Sequence, residues 1–171
     1  MKCKRESSPS PSSSSSTHQW KYEVFLSFMG EDTCKNFIDH LYVALKQKGI
    51  ITFRDEEELK RGKSIFELFE AIEESQIAII IFSKNYASSK WCLDELAKIN
   101  KCRKEMRLIA LPIFYDVDPS DVWKQTKTFE QAFTNHHKCF EDNIEKVERW
   151  RAALRRVVDI TSWHLQNRYF P

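Results

Sequence analysis

The chain has 171 residues, with 27 Lys and Arg against 25 Asp and Glu. That length suits one domain with a substantial core. The net charge of +2 falls wholly within the first twenty residues, which argues against a broad electrostatic footprint for nucleic acid. Five cysteines without a CxxC pair lack metal-ligand spacing and suggest reduced thiols in a cytoplasmic or nuclear setting. No apolar run approaches membrane-spanning length.

Residues 1–19 are rich in Ser and Pro with almost nothing apolar, so a disordered tail is expected there. Lys2 stands where N-myristoylation needs glycine. The folded region is expected over 20–165, with a short tail at 166–171. Tyr22 to Phe28 is aromatic and β-branched, a strand by composition. Phe37, Leu41, Ala44 and Leu45 recur at helical spacing, with Gly49 placed as a C-terminal cap. Ile50 to Phe53 reads as a short strand and Asp55 to Lys63 as a charged loop. Ile65, Leu68, Phe69 and Ile72 predict the next helix. Ile77 to Phe82 is apolar without alternation, as in a parallel strand covered on both faces.

Leu93, Leu96, Ala97 and Asn100 trace the core stripe of the following helix. Leu108 to Tyr115 is a fourth strand, and Pro112 inside it suggests an edge or a strand end. Asp116 to Asp121 reads as a turn-rich loop, and Phe129 to Phe133 as the start of a short helix. Ile144, Val147, Trp150, Leu154, Val157 and Val158 predict a long amphipathic helix. No fifth strand stands out; one that is present must be short. Alternating β and α elements imply a parallel sheet with helices on both faces, and ligands of such sheets bind outside the strands' carboxyl ends. Glu31 and Asp32, and Ser83 to Glu95, fall there, as do Gly30 and Gly62. Neither GxGxxG nor GxxxxGK[ST] occurs, which argues against an ordinary Rossmann or P-loop site.

The helix that opens after Ile77–Phe82 carries two adjacent acids. Asp94 has Lys90 and Lys98 at i±4, and Glu95 has Trp91 and Ile99. Such neighbours share a helix face. Asp94 therefore reads as a solvated charge, and Glu95 as a carboxylate on an apolar wall, a candidate for chemistry. The plainer reading of Glu95 is a surface glutamate with chance neighbours. Trp91 reads equally as core packing or as a ligand contact, and Ser89 equally as an N-cap or a site residue. An acidic receiver pocket at Asp55 and Glu56 lacks the separate aspartate and lysine it needs. No cysteine pairs with a histidine in a nucleophilic pattern.

Four segments in order, YEVFLSFMGEDT (22–33), TFRDEEELKRGKSI (52–65), FSKNYASSKWCLDEL (82–96) and LPIFYDVDPSDVWKQT (111–126), resemble the TIR domain of plant intracellular immune receptors. The resemblance runs from about Trp20 to Trp163. It implies a flavodoxin-like α/β fold with a parallel sheet of about five strands. It also implies NAD+ or NADP+ as substrate rather than a cofactor, cleavage activated by self-association, a role in defence signalling and no metal. Glu95 matches the family's catalytic glutamate. Phe28, Met29, Gly30, Ser89, Trp91 and Asp55 match substrate-binding positions, and the loop Asp55–Lys63 borders the site. Asp39 and His40 stand at a pair the family uses for self-association, where Asp39 replaces a serine.

The sequence departs from the pattern at Met29 and Cys34, which replace arginines, and at Trp123 and Lys127. Replacing a bidentate, permanently charged group by a thioether at Met29 is not conservative and implies weakened activity. Two function classes follow: a NAD glycohydrolase, and a TIR–TIR interaction module with little or no turnover.

Overall fold

The computed structural model describes residues 20–30, 35–54 and 64–166, without the side chains of 35, 36 and 161–166. The Ser/Pro tail, Glu31, Asp32, Cys34, Asp55, Gly62 and the rest of the charged loop lie outside the described residues. The chain order is β1 (Tyr22–Phe28), α1 (Lys35–Gln47), β2 (Thr52–Arg54), α2 (Ile65–Glu73), β3 (Ser75–Phe82), α3 (Lys90–Glu105), β4 (Ile109–Phe114), α4 (Pro119–Lys124), α5 (Thr128–Cys139) and α6 (Ile144–Gln166).

Among the described residues four strands form one parallel sheet in the order β2-β1-β3-β4. It is the flavodoxin-like α/β architecture, and residues 115–143, after β4, hold helices and turns rather than a further strand. Pro112 lies in β4, an edge of this sheet, opposite Ile80, where a missing ladder donor is tolerated.

Side-chain alternation sends each strand into two cores. Phe25, Ala78, Ile80 and Phe82 join the larger core under α2, α3, α5 and α6. Val24, Leu26, Ile79 and Ile81 join the smaller one under α1. That double burial is why the β3 run shows no polar face. The α1 side is less completely covered at β4, where Ile109 is 49% and Leu111 45% exposed.

Local chemistry sets several boundaries. Gly49 takes φ +76° after α1, and Ile50 N–H reaches back to Leu45 O at 3.1 Å, a left-handed stop suited to glycine. β2 starts at Thr52 rather than Ile50, because Ile50 still closes that stop. The predicted loop at 116–121 holds the start of α4: Asp118 caps it through Ser120 N at 2.7 Å and Pro119 sits in its first turn, a favoured start. α5 extends to Cys139, well beyond the short helix expected. Ile144 is 51% exposed and does not share α6's core stripe.

His136 of α5 is buried, with Nε2 donating to Ala87 O at 2.8 Å and its ring against Trp150, Phe133 and Phe140. Burial holds its pKa below the ordinary value of 6.5, helped by the positive charge of Lys90 and His137 and opposed by the Ala87 bond. The unfolded chain therefore takes up the proton more readily. Stability is fully present above about pH 6.5 and is lost as pH falls from there through the folded-state value. Urea midpoints are expected to drop between neutral pH and about pH 5, and His136→Gln should flatten that slope. An unchanged slope in the variant would contradict this account.

Candidate active site at the carboxyl edge of the sheet

Helix α3 starts just past the carboxyl end of β3. Ser89 is its N-cap: its Oγ accepts from Cys92 N at 3.3 Å, so the capping role read from sequence is real. Cys92 Sγ in turn donates to Phe28 O at 3.5 Å. The first turns of α3 are thereby brought onto the end of β1. Phe28, Met29 and Gly30 are half-buried there. Met29 packs against the larger core. Trp91 is 38% exposed, which excludes it from the core and leaves its ring at the surface.

The two acids separate, though not as expected for Asp94. Glu95 is 2% exposed, and Ser27 Oγ donates to its Oε2 at 2.6 Å. Ser27 Oγ also lies 2.8 Å from the Tyr86 hydroxyl, which donates to Cys92 O at 3.1 Å. Burial pushes the Tyr86 phenol well up, and the charges of Cys92 and Glu95 add to it; it stays neutral and acts as a fixed donor. On the same helix Leu93, Leu96 and Ile99 are fully buried in the larger core.

Asp94 is not a solvated, lysine-flanked charge. Its Oδ1 accepts from Trp150 Nε1 at 2.9 Å and its Oδ2 from Lys146 Nζ at 3.2 Å. Both partners come from α6, which covers the face that helical spacing alone leaves open. Lys98 pairs with Glu73 instead, and Lys90 lies over the Phe140 ring. So Asp94 ties α3 to α6, and Glu95 faces the sheet.

Asp39 and His40 are exposed on α1. Asp39 Oδ1 is 2.7 Å from Arg54 Nη2, so its charge is already matched within the chain. Asp55 follows directly but lies outside the described residues. Sequence reasoning missed Ser27, Tyr86 and Arg54. Ser27 had a signal, as the one polar residue in the buried run Val24–Ser27.

No helix among the described residues is long and apolar enough to cross a membrane. The TIR domain family pattern matches residues 21–169. TMV resistance protein N of Nicotiana glutinosa is 51% identical over 149 residues, covering 86% of this chain and 13% of that protein. Disease resistance protein RPV1 of Vitis rotundifolia is 52% identical over 159 residues, covering 90% of this chain and 11% of that protein. The chain thus spans only about an eighth of the length of such relatives. Among solved structures, the TIR domains of the activated Roq1 resistosome, which directly recognises the pathogen effector XopQ, superpose with a TM-score of 0.74 at 55% identity. That match covers 81% of this chain and 84% of that one. With a family match over nearly all of the folded region and relatives at about half identity, the chain belongs to the TIR domain family.

Proposed function

We propose that this chain is a plant-type TIR domain acting in disease-resistance signalling, and that it cleaves the nicotinamide–ribose bond of NAD+ or NADP+ when self-associated. One observation carries the reading. Of two adjacent acids on α3, Asp94 is committed to Trp150 and Lys146, while Glu95 is drawn against the carboxyl end of β1 among apolar side chains. Its partners are other TIR domains and the dinucleotide, and its setting is cytoplasmic or nuclear.

The chemistry needs one carboxylate. Ordinary glycosidases use a second acid to protonate the leaving group. Here the C–N bond breaks with its electron pair passing to the cationic nicotinamide nitrogen, which leaves neutral. A carboxylate is left to stabilise the oxocarbenium-like ribose and orient its hydroxyls, and a low-dielectric site strengthens that effect. Water then adds to the ribose carbon and releases one proton. Glu95 is covered in the present arrangement, so substrate access requires a rearrangement that exposes its carboxylate. Trp91, exposed beside it, offers a surface on which a ring can stack.

A second reading, an interaction module with little turnover, draws on that same burial of Glu95 and on Met29. A charge-assisted hydrogen bond contributes about 1.5–3 kcal/mol, so Met29→Arg should lower KM for NAD roughly tenfold or more. Nicotinamide release by the purified chain and by this variant checks both points. Equal KM values would remove Met29 as the cause of weakened activity, and no release from either chain would leave the interaction module standing.

A further inference from the structure

Helix α6 meets the first turns of α3 where Asp94 accepts from Trp150 and Lys146. Beside that tie an open groove of about 1030 Å³ lies among α2, α3 and α6. The candidate active site is elsewhere: Phe28, Met29, Gly30, Ser89, Trp91 and Glu95 do not line this groove. Ile65 and Phe69 of α2, Ala97 of α3, and Ala152 and Ala153 of α6 supply its apolar wall. Asn100, one turn after Ala97, lines it too. Asn100 is 6% exposed, and its Oδ1 is buried without a hydrogen-bond partner. Buried polar groups are nearly always paired, so an unpaired acceptor on the wall of a groove points to a ligand that donates to it.

The charges around the groove carry the same message. Lys98, Lys101 and Lys146 are matched within the chain by Glu73, Glu105 and Asp94. Lys104, Arg149 and Arg156 also line the groove and have no ion-pair partner among the described residues. Glu145 is the one lining acid in that position. The unmatched charge is therefore positive and favours an anion. Arg149 and Arg156 are seven residues apart, so they share one face of α6, with Lys104 on α3. We propose that this groove binds an adenine nucleotide. Asn100 Oδ1 accepts from the exocyclic amine, the apolar wall covers the flat base, and the two arginines with Lys104 hold the phosphate. An asparagine amide matches the edge of adenine, and a guanidinium fork matches phosphate. The volume is at the upper end of ordinary small-ligand pockets.

This site does not depend on the reading of Glu95, and absent nicotinamide release would bear on the hydrolase reading alone. Binding is read by calorimetry of the purified chain at low salt, with AMP, IMP, adenosine and inorganic phosphate as probes. AMP should bind at one site per chain. IMP carries a carbonyl where AMP has the amine, and adenosine lacks the phosphate. Each should bind roughly tenfold more weakly than AMP. Asn100→Leu should remove the preference for AMP over IMP. Its urea midpoint should be at or above that of the parent, because an apolar group of similar size ends the burial of an unpaired acceptor. Arg149→Ala combined with Arg156→Ala, both at exposed positions, should weaken AMP roughly tenfold or more with the fold intact. Inorganic phosphate as tight as AMP, equal affinities for AMP and IMP, or AMP binding unchanged in both variants overturns the proposal. So does a large loss of stability in Asn100→Leu, which would show that the amide is bonded within the fold.

Discussion

Glu95→Gln is expected to lower nicotinamide release by about a hundredfold to a thousandfold, the usual effect of deleting one preorganised electrostatic stabiliser. Glutamine keeps the shape of the side chain and an oxygen that can accept from Ser27 Oγ, which now donates to Glu95 at 2.6 Å. The fold and the Ser27–Tyr86 contact should survive. What is lost is the negative charge facing a developing oxocarbenium ion. kcat should fall, KM should change little, and the unfolding midpoint should stay near that of wild type, because the charge matters most in the transition state. A variant that retains turnover within a few-fold of wild type would remove Glu95 from the chemistry. A large loss of stability instead would mark it as a structural acid.

Trp150→Ala should cost about 3–5 kcal/mol of stability, as truncation of a large core aromatic usually does. Trp150 is 1% exposed and meets Phe140 edge-on at 5.4 Å and His136 at 5.2 Å. Its Nε1 also donates to Asp94 Oδ1 at 2.9 Å, and the Lys146 ammonium lies 5.0 Å from its ring. Alanine leaves a cavity between α3, α5 and α6 and strips Asp94 of one of two partners. Folded domains are stable by only about 5–15 kcal/mol, so the loss is a large share of the total. Trp150→Phe, which mainly removes the indole donor, should cost about 1 kcal/mol. Urea unfolding measures both. A cost below about 1 kcal/mol for alanine would contradict the role assigned to this residue.

The fold was legible wherever pattern alone decides it. β1 matches its predicted span, and β3 and β4 lie within two residues of theirs, because continuous apolar runs bounded by polar residues have few other uses. The helices with strong periodicity were also readable. α4 was not, since six residues give too little periodicity, although Asp118 and Pro119 carried the capping signal. At the site, helical spacing separated Glu95 from Asp94 correctly. It misplaced Asp94, because a helical wheel says which residues share a face and not what packs on it. Trp150 and Lys146 lie more than fifty residues away in sequence. Arg54 was silent for the same reason: its contacts with Asp39, Tyr42 and Phe28 join three separate elements, and nothing in TFR announces them.

Cleavage of NAD by Glu95 in assembled copies of this TIR domain is the proposed reaction. The most direct measurement is nicotinamide release per chain across a rising series of protein concentrations, with the Glu95→Gln chain alongside. The rate per chain should climb as association sets in and stay near background throughout for the variant. Release that is absent at every concentration, or equal in the two chains, would contradict the claim.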